Sequence, residues 1–296
     1  MLKRSLAQFL FVTCLVLGSY AQNATKTTYD SKHLASLIDR ITAGDTTEDR
    51  SKAIRDELAD IKVRISTEGF TRKSREGDMV SGTNIIGEVS NPTAKRMIMI
   101  GAHYDRVRVG KGAVDNASGS AAVLLLLRAF KEAPLKNIRL QGAFWDHEEQ
   151  GLHGSRIYVE NRKEKGLPDI YINFDVYGYG DTLWLWSANE ATDFVKAVIN
   201  AGANAKFNAV RGSVYPSSDH RSFHAGGVET YSFSLLSANE VREITSILGG
   251  TPPEPGKMPK ALATIHTAAD TKDKIDAAAV VKSLAVVEAA IRALDK

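Results

Sequence analysis

Apolar residues recur at helical spacing over Ser31 to Ile41, where Leu34, Leu37, Ile38 and Ile41 share a face, and over Glu48 to Ile65 through Ile54, Leu58 and Ile61. The period then changes. Asn84 to Glu88 reads as a strand, and Met97 to Ile100, apolar at every position, as a strand buried on both faces. Small residues and leucines from Gly119 to Phe130 make a run long enough for a buried helix. The strand Ile138 to Trp145, the helix Ser155 to Asn161 and the strand Ile170 to Asp175 follow it. A further apolar strand spans Thr230 to Leu236, and a Gly/Pro-rich stretch runs from Gly249 to Pro259. An amphipathic helix from Ala277 to Leu294 places Val280, Val281, Leu284, Val287 and Ile291 on one side.

Strands alternating with helices predict an α/β fold with a mostly parallel, mixed central sheet flanked by helices on both faces. The sequence contains no repeat and no second apolar core behind a linker. Residues 22–296 are therefore expected to form a single catalytic domain, with the leading helices and a first strand in 22–80. Sites in such sheets gather beyond the carboxyl ends of the strands. Three strands here end in polar groups: Met97–Ile100 runs into His103 and Asp105, Gln141–Trp145 into Glu148 and Glu149, and Tyr171–Phe174 into Asp175.

Composition narrows the chemistry. The chain has 296 residues, 43% hydrophobic and 25% charged, which is ordinary for a folded domain. Lys3-Arg4, an apolar stretch from Leu6 to Leu17, and Ser19-Tyr20-Ala21 read as an export signal over residues 1–21. The apolar stretch is shorter than the ~20 residues that span a bilayer, so the expected product is periplasmic or secreted, with no stable membrane insertion. The single cysteine, Cys14, leaves with the signal, so no thiol remains as nucleophile, disulfide partner or metal ligand. Removing Lys3 and Arg4 leaves 36 basic against 35 acidic residues, and nothing in that balance favours nucleic acid.

Imidazoles and carboxylates gathered at buried strand ends cost several kcal/mol each without partners. A divalent cation removes that cost, and a His-plus-carboxylate set suits zinc.

Six ordered blocks carry a family resemblance: Gly101-Ala102-His103-Tyr104-Asp105, Gly112-Ala113-Val114-Asp115-Asn116-Ala117-Ser118-Gly119, Glu148-Glu149-Gln150-Gly151-Leu152-His153-Gly154-Ser155, Ile172-Asn173-Phe174-Asp175, Ser218-Asp219-His220-Arg221-Ser222-Phe223, and Ile265-His266-Thr267-Ala268-Ala269-Asp270. From about residue 84 to the last helix the chain resembles the zinc exopeptidase family of bacterial leucyl aminopeptidases and plasma glutamate carboxypeptidase. The resemblance implies two zinc ions per chain bridged by Asp115, one completed by His103 and Asp175 and the other by Glu149 and His266. It makes Glu148 the general base, and it implies a cis peptide at Asp115-Asn116. Asp105, two residues beyond His103, is placed to orient that imidazole. The implied activity is hydrolysis of terminal peptide bonds, most simply as an aminopeptidase acting on peptides or small peptide-like substrates. Tyr177, Tyr179 and Phe223 are expected to wall an apolar pocket for a bulky terminal side chain, with the Gly249–Pro259 stretch as one rim.

Other motifs carry less. His147-Glu148-Glu149-Gln150-Gly151 lacks the second histidine of a helical zinc motif, and Gly110-Lys111-Gly112 is too short for a phosphate loop. His33, His153, His220 and His224 read as non-ligands, and the sequon at Asn116 as unused, since a glycan there would sit beside Asp115. The chain departs from the family at His147, where glycine is usual, and at Ile265, where a tyrosine commonly helps stabilise the oxyanion; Tyr215 is a candidate substitute. Alternatives remain. A glutaminyl cyclase of the same fold would use one zinc held by Asp115, Glu149 and His266, a carboxypeptidase would share the whole centre, and an inactive binding module would merely have inherited it.

Overall fold

The computed structural model describes residues 29–74 and 77–296; the expected export signal and Cys14 lie outside them. The chain runs α1 (Ser31–Ala43), α2 (Thr47–Asp60), β1 (Arg64–Lys73), β2 (Met79–Val89), β3 (Arg96–His103), α3 (Ser118–Glu132), β4 (Ile138–Trp145), α4 (His153–Arg162), β5 (Ile170–Phe174), β6 (Thr182–Ser187), α5 (Asp193–Ala205), β7 (Asn208–Gly212), α6 (His220–Ala225), β8 (Glu229–Leu236), α7 (Ala238–Leu248), α8 (Lys260–Thr264) and α9 (Ala277–Ala293).

All eight strands form one sheet in the order β1-β2-β4-β3-β5-β8-β6-β7. The inner pairs β4-β3, β3-β5 and β5-β8 are parallel, as is β6-β7, whereas β1-β2, β2-β4 and β8-β6 are antiparallel. The sheet is mixed, and its parallel heart is the part that carries polar strand ends.

Period-two alternation divides the strands between two layers. Ile98, Ile100, Ile170 and Ile172 face a core filled by α1, α2, α3, α5 and α9. Met99, Trp145 and Tyr171 face the other layer, where Tyr158 and Val159 of α4 and Phe223 of α6 cover them. The leucine run of α3 is buried in the first core.

Local chemistry sets the boundaries. Asp30 caps α1, and a reciprocal Thr46/Asp49 capping box starts α2. The second helix ends five residues earlier than its apolar spacing predicts: Lys62 takes a left-handed φ of 55° and the chain enters edge strand β1. That strand carries Ile65, Thr67 and Thr71, whose branched side chains favour the pleat. Gly119 opens α3 where a Cβ would collide with the Asn116 side chain and the Phe174 carbonyl, so this close approach requires glycine.

Candidate metal centre and substrate cavity

The registers Gly101↔Asn173 and His103↔Trp145 bring the ends of β5, β3 and β4 side by side. His103 closes β3, Asp175 follows β5 directly, and Glu148 and Glu149 lie just beyond β4. Asp115 comes from the turn before α3 and His266 from the segment after α8.

The structure brings all five expected ligands together. His103 Nε2 lies 3.0 Å from Asp115 Oδ1 and 3.4 Å from Asp175 Oδ1. His266 Nε2 lies 3.1 Å from Asp115 Oδ2 and 3.0 Å from Glu149 Oε2. The two oxygens of Asp115 therefore face different histidines, each accompanied by a different second carboxylate. Ligand atoms of His103, Asp115 and Glu149 all fall within 4.8 Å of one another.

Surrounding groups hold these residues in place. Asp105 Oδ1 is 3.3 Å from His103 Nδ1, and its carboxylate also accepts the backbone N–H groups of Glu148 (3.1 Å) and Glu149 (3.2 Å). Asp270 accepts those of Val114 (2.7 Å) and Asp115 (3.2 Å). Arg50 of α2, buried completely, donates to the carbonyls of Gly112 (2.8 Å) and Lys111 (3.3 Å) beneath the same turn. The Asp115–Asn116 peptide is cis. Val176 and His266, next to and within the cluster, take left-handed φ of 52° and 58°, which strains the backbone of these non-glycine residues.

The electrostatics fit a divalent cation. Burial, with the charges of Asp219 and Asp175, holds the Glu148 carboxyl well above its usual range. Burial and the nearby Asp115 charge push Glu149 up to about 7, and burial pushes Asp219 up to about 7. For Asp115, burial acts upward but is outweighed by hydrogen bonds with His103 and His266, so its carboxyl lies below the usual range. Burial likewise acts against a charged His103 and is overcome by Glu148 and Asp175, so that imidazole binds its proton well above pH 6.5. Glu149 Oε1 and Asp175 Oδ1 are buried without a hydrogen-bond partner among the described residues. Zinc, with its affinity for imidazole and carboxylate, would balance this surplus of negative charge.

A cavity of about 140 Å³ adjoins the cluster, lined by Asp115, Glu148, Glu149, Asp175 and His266 and closed by Val176, Trp184, Leu236, Ile244, Leu262 and Ile265. Tyr177, Tyr179 and Phe223, the expected pocket walls, do not line it. Tyr177 packs edge-on against Phe174 (5.1 Å, 82°) in the main core. Tyr179 donates to Glu240 Oε1 at 2.8 Å, with Lys260 Nζ 3.8 Å from its ring centre. Phe223 stacks on Tyr171 (3.7 Å, 12°) in the opposite layer, because α6 presses it onto the sheet face rather than toward the strand ends. Nor do residues 249–259 form the rim; α8 and Ile265 supply it.

The two departures at His147 and Ile265 acquire physical reasons. His147 takes φ 55°, a conformation natural for glycine, and is held by Nε2 3.2 Å from the Ser81 carbonyl and by an edge contact with Phe70 (5.9 Å, 76°). Ile265 contributes apolar wall instead of a hydroxyl. Tyr215 also lines the cavity, but its hydroxyl lies 2.6 Å from Ser234 Oγ, which itself donates to the Asp175 carbonyl at 2.6 Å. With the serine hydrogen so placed, the tyrosine proton goes to Ser234. Sequence reasoning quoted Asp270 and Asp219 inside larger blocks without assigning them roles, and it missed Arg50, whose signal was a cation on the apolar side of α2.

The family model described as Peptidase family M28 matches residues 84–291. The chain belongs to peptidase family M28. A Mycobacterium tuberculosis protein described as a probable lipoprotein aminopeptidase is 33% identical over 241 residues, covering 73% of this chain and 44% of that protein. An aminopeptidase of Pseudomonas aeruginosa is 40% identical over 98 residues, 32% of this chain and 18% of the relative. The M28 chain thus spans less than half the length of these curated relatives. Among solved structures, a zinc aminopeptidase from Bacillus subtilis superposes with a TM-score of 0.72 at 16% identity, covering 89% of this chain and 94% of the other. A glutaminyl cyclase of Porphyromonas gingivalis gives 0.72 at 19% identity, covering 90% and 98%. These likenesses establish the fold and leave the reaction to be argued from the site.

Proposed function

We propose that this M28 chain is an exported aminopeptidase that binds two zinc ions, one held by His103, Asp115 and Asp175 and the other by Asp115, Glu149 and His266. The observation that carries this reading is the division at Asp115, whose two carboxylate oxygens face two separate His-plus-carboxylate pairs. Bound zinc would polarise the scissile carbonyl and make a water molecule acidic enough to deprotonate near neutral pH.

The protein's own groups do the rest. Glu148, raised in basicity by burial, takes the proton from the attacking water and returns it to the departing amine. Asp105 fixes the His103 ring and the backbone beneath both glutamates, so the base and its neighbour keep distinct directions. The apolar end of the cavity, with Trp184, Leu236 and Ile244, receives the terminal side chain and favours bulky apolar residues over acidic ones.

Digestion of one defined peptide by zinc-loaded protein, read by mass spectrometry, tests this reading. Stepwise shortening from the amino end is expected. Shortening from the carboxyl end would make the chain a carboxypeptidase, and loss of ammonia from an N-terminal glutamine with no shortening would make it a cyclase. A capacity of one zinc ion per chain would also count against the two-ion centre.

A further inference from the structure

The Glu148–Glu149 pair is a wall with two sides. One side faces the small apolar cavity; the other faces a larger groove of about 640 Å³, lined by Glu148, Glu149, Gln150, Arg108 and Arg156 among others. A peptide that places its first side chain in the cavity has this groove beside the scissile bond for the portion beyond it.

The two arginines differ from the cations around them. In the loop after β3, Arg106 is spent on the carbonyls of Val107, Gly110 and Asp45, and Lys111 pairs with Asp45 at 2.7 Å. On α4, Arg162 pairs with Glu68 and lies over the Tyr158 ring. Arg108 and Arg156, by contrast, have no ion pair and no side-chain hydrogen bond to any described residue. They come from separate elements yet reach the same groove, and each presents a planar fork of donors matched to a carboxylate.

We propose that Arg108 and Arg156 bind a carboxylate on the leaving side of the scissile bond, which makes short peptides ending in the groove, or peptides with an acidic residue there, the favoured substrates. This inference rests on the aminopeptidase reading. The two sources, a free α-carboxylate and an acidic side chain, share one recognition chemistry.

The test uses the full zinc-loaded chain with Leu-Gly-Gly, Leu-Gly-Gly-amide, Leu-Gly-Glu-amide and the chromogenic anilide of leucine. The free acid should exceed its amide in kcat/KM by about tenfold, chiefly through KM. In Arg108→Met and Arg156→Met, with zinc content measured in each, the acid-to-amide ratio should fall toward one. A rate for Leu-Gly-Glu-amide equal to that of the free acid shows that the groove also takes a side-chain carboxylate, and a rate equal to that of Leu-Gly-Gly-amide confines it to the peptide terminus. Equal wild-type rates for Leu-Gly-Gly, Leu-Gly-Gly-amide and Leu-Gly-Glu-amide with the anilide still cleaved overturn this inference alone, as does a preference for the carboxylate that survives both substitutions. No cleavage of any of the four overturns the aminopeptidase reading itself.

Discussion

Asp270 grips the backbone of Asp115: its carboxylate accepts the N–H of Asp115 at 3.2 Å and that of Val114 at 2.7 Å. The side chain proposed to bridge two zinc ions thus stands on a turn held from below by a second carboxylate. Asp270→Ala should remove this support without touching any proposed ligand. Zinc affinity is expected to fall about 10- to 100-fold, measured by competition with a chelator. Unchanged affinity would show that Arg50 and the turn itself suffice.

The adjacent glutamates should fail in different ways. Asp105 holds the backbone N–H of both, so a change at either side chain leaves the loop anchored. Glu148→Gln should keep both metals and lose about 10²-fold or more in turnover, whereas Glu149→Gln should lose one metal site. Metal analysis beside kcat decides the matter. Equal metal loss in both variants would overturn the division of roles.

His220 gives the fold a pH dependence with a defined sign. It is fully buried between Trp186 (4.7 Å) and Tyr215 (5.6 Å), and neither ring nitrogen has a hydrogen-bond partner among the described residues. Burial, together with the charges of Arg221 and His224, lowers its pKa from 6.5 to about 3. The unfolded chain takes up a proton below pH 6.5 and the folded chain does not until about pH 3. The histidine's contribution is therefore complete above pH 6.5 and is lost as pH falls toward 3. Against His220→Leu, the wild type should lose up to about 1.4 kcal/mol more per pH unit across that window, read by urea denaturation. Parallel stability curves for the two proteins would remove the effect.

How far these features were legible in the sequence depends on range. The central strands and the residues at their ends could be read because an unbroken apolar run followed by polar residues is a local pattern, as at Met97–His103 and Tyr171–Asp175. The first two residues of edge strand β1 were read as the end of a helix because Ile61 and Ile65 fit a helical face, and only the left-handed turn at Lys62 breaks it. The short strands β6 and β7 and helix α5, before the strand read at Thr230–Leu236, and helix α7 after it were given no elements, although Thr182–Ser187 is buried at every position. The direction of a side chain across the sheet was the hardest quantity to read. Phe223 follows the Ser218-Asp219-His220 run, yet one turn of α6 carries it to the far layer. Proximity along the chain to site residues did not give proximity in space.

That placement leads to a test of substrate selection in which two substitutions should part company. Phe223 is wholly buried, stacked on Tyr171 and tilted against Trp145 at 5.6 Å, so Phe223→Ala removes core packing and should cost about 3 to 5 kcal/mol of stability. It does not line the cavity, and the ranking of terminal Leu, Phe, Ala, Lys and Glu substrates should stay as in the wild type. Ile244 does form part of the wall, on α7, facing the space beside Trp184 and Leu236. Ile244→Ala opens that end, so the Phe-to-Leu ratio of kcat/KM should rise, by about tenfold if the larger ring fills the released volume. Measuring all five substrates under conditions where each variant is folded separates packing from selection. A changed ranking in Phe223→Ala would return that residue to the substrate site, and an unchanged ranking in Ile244→Ala would mean that the terminal side chain binds elsewhere than in this cavity.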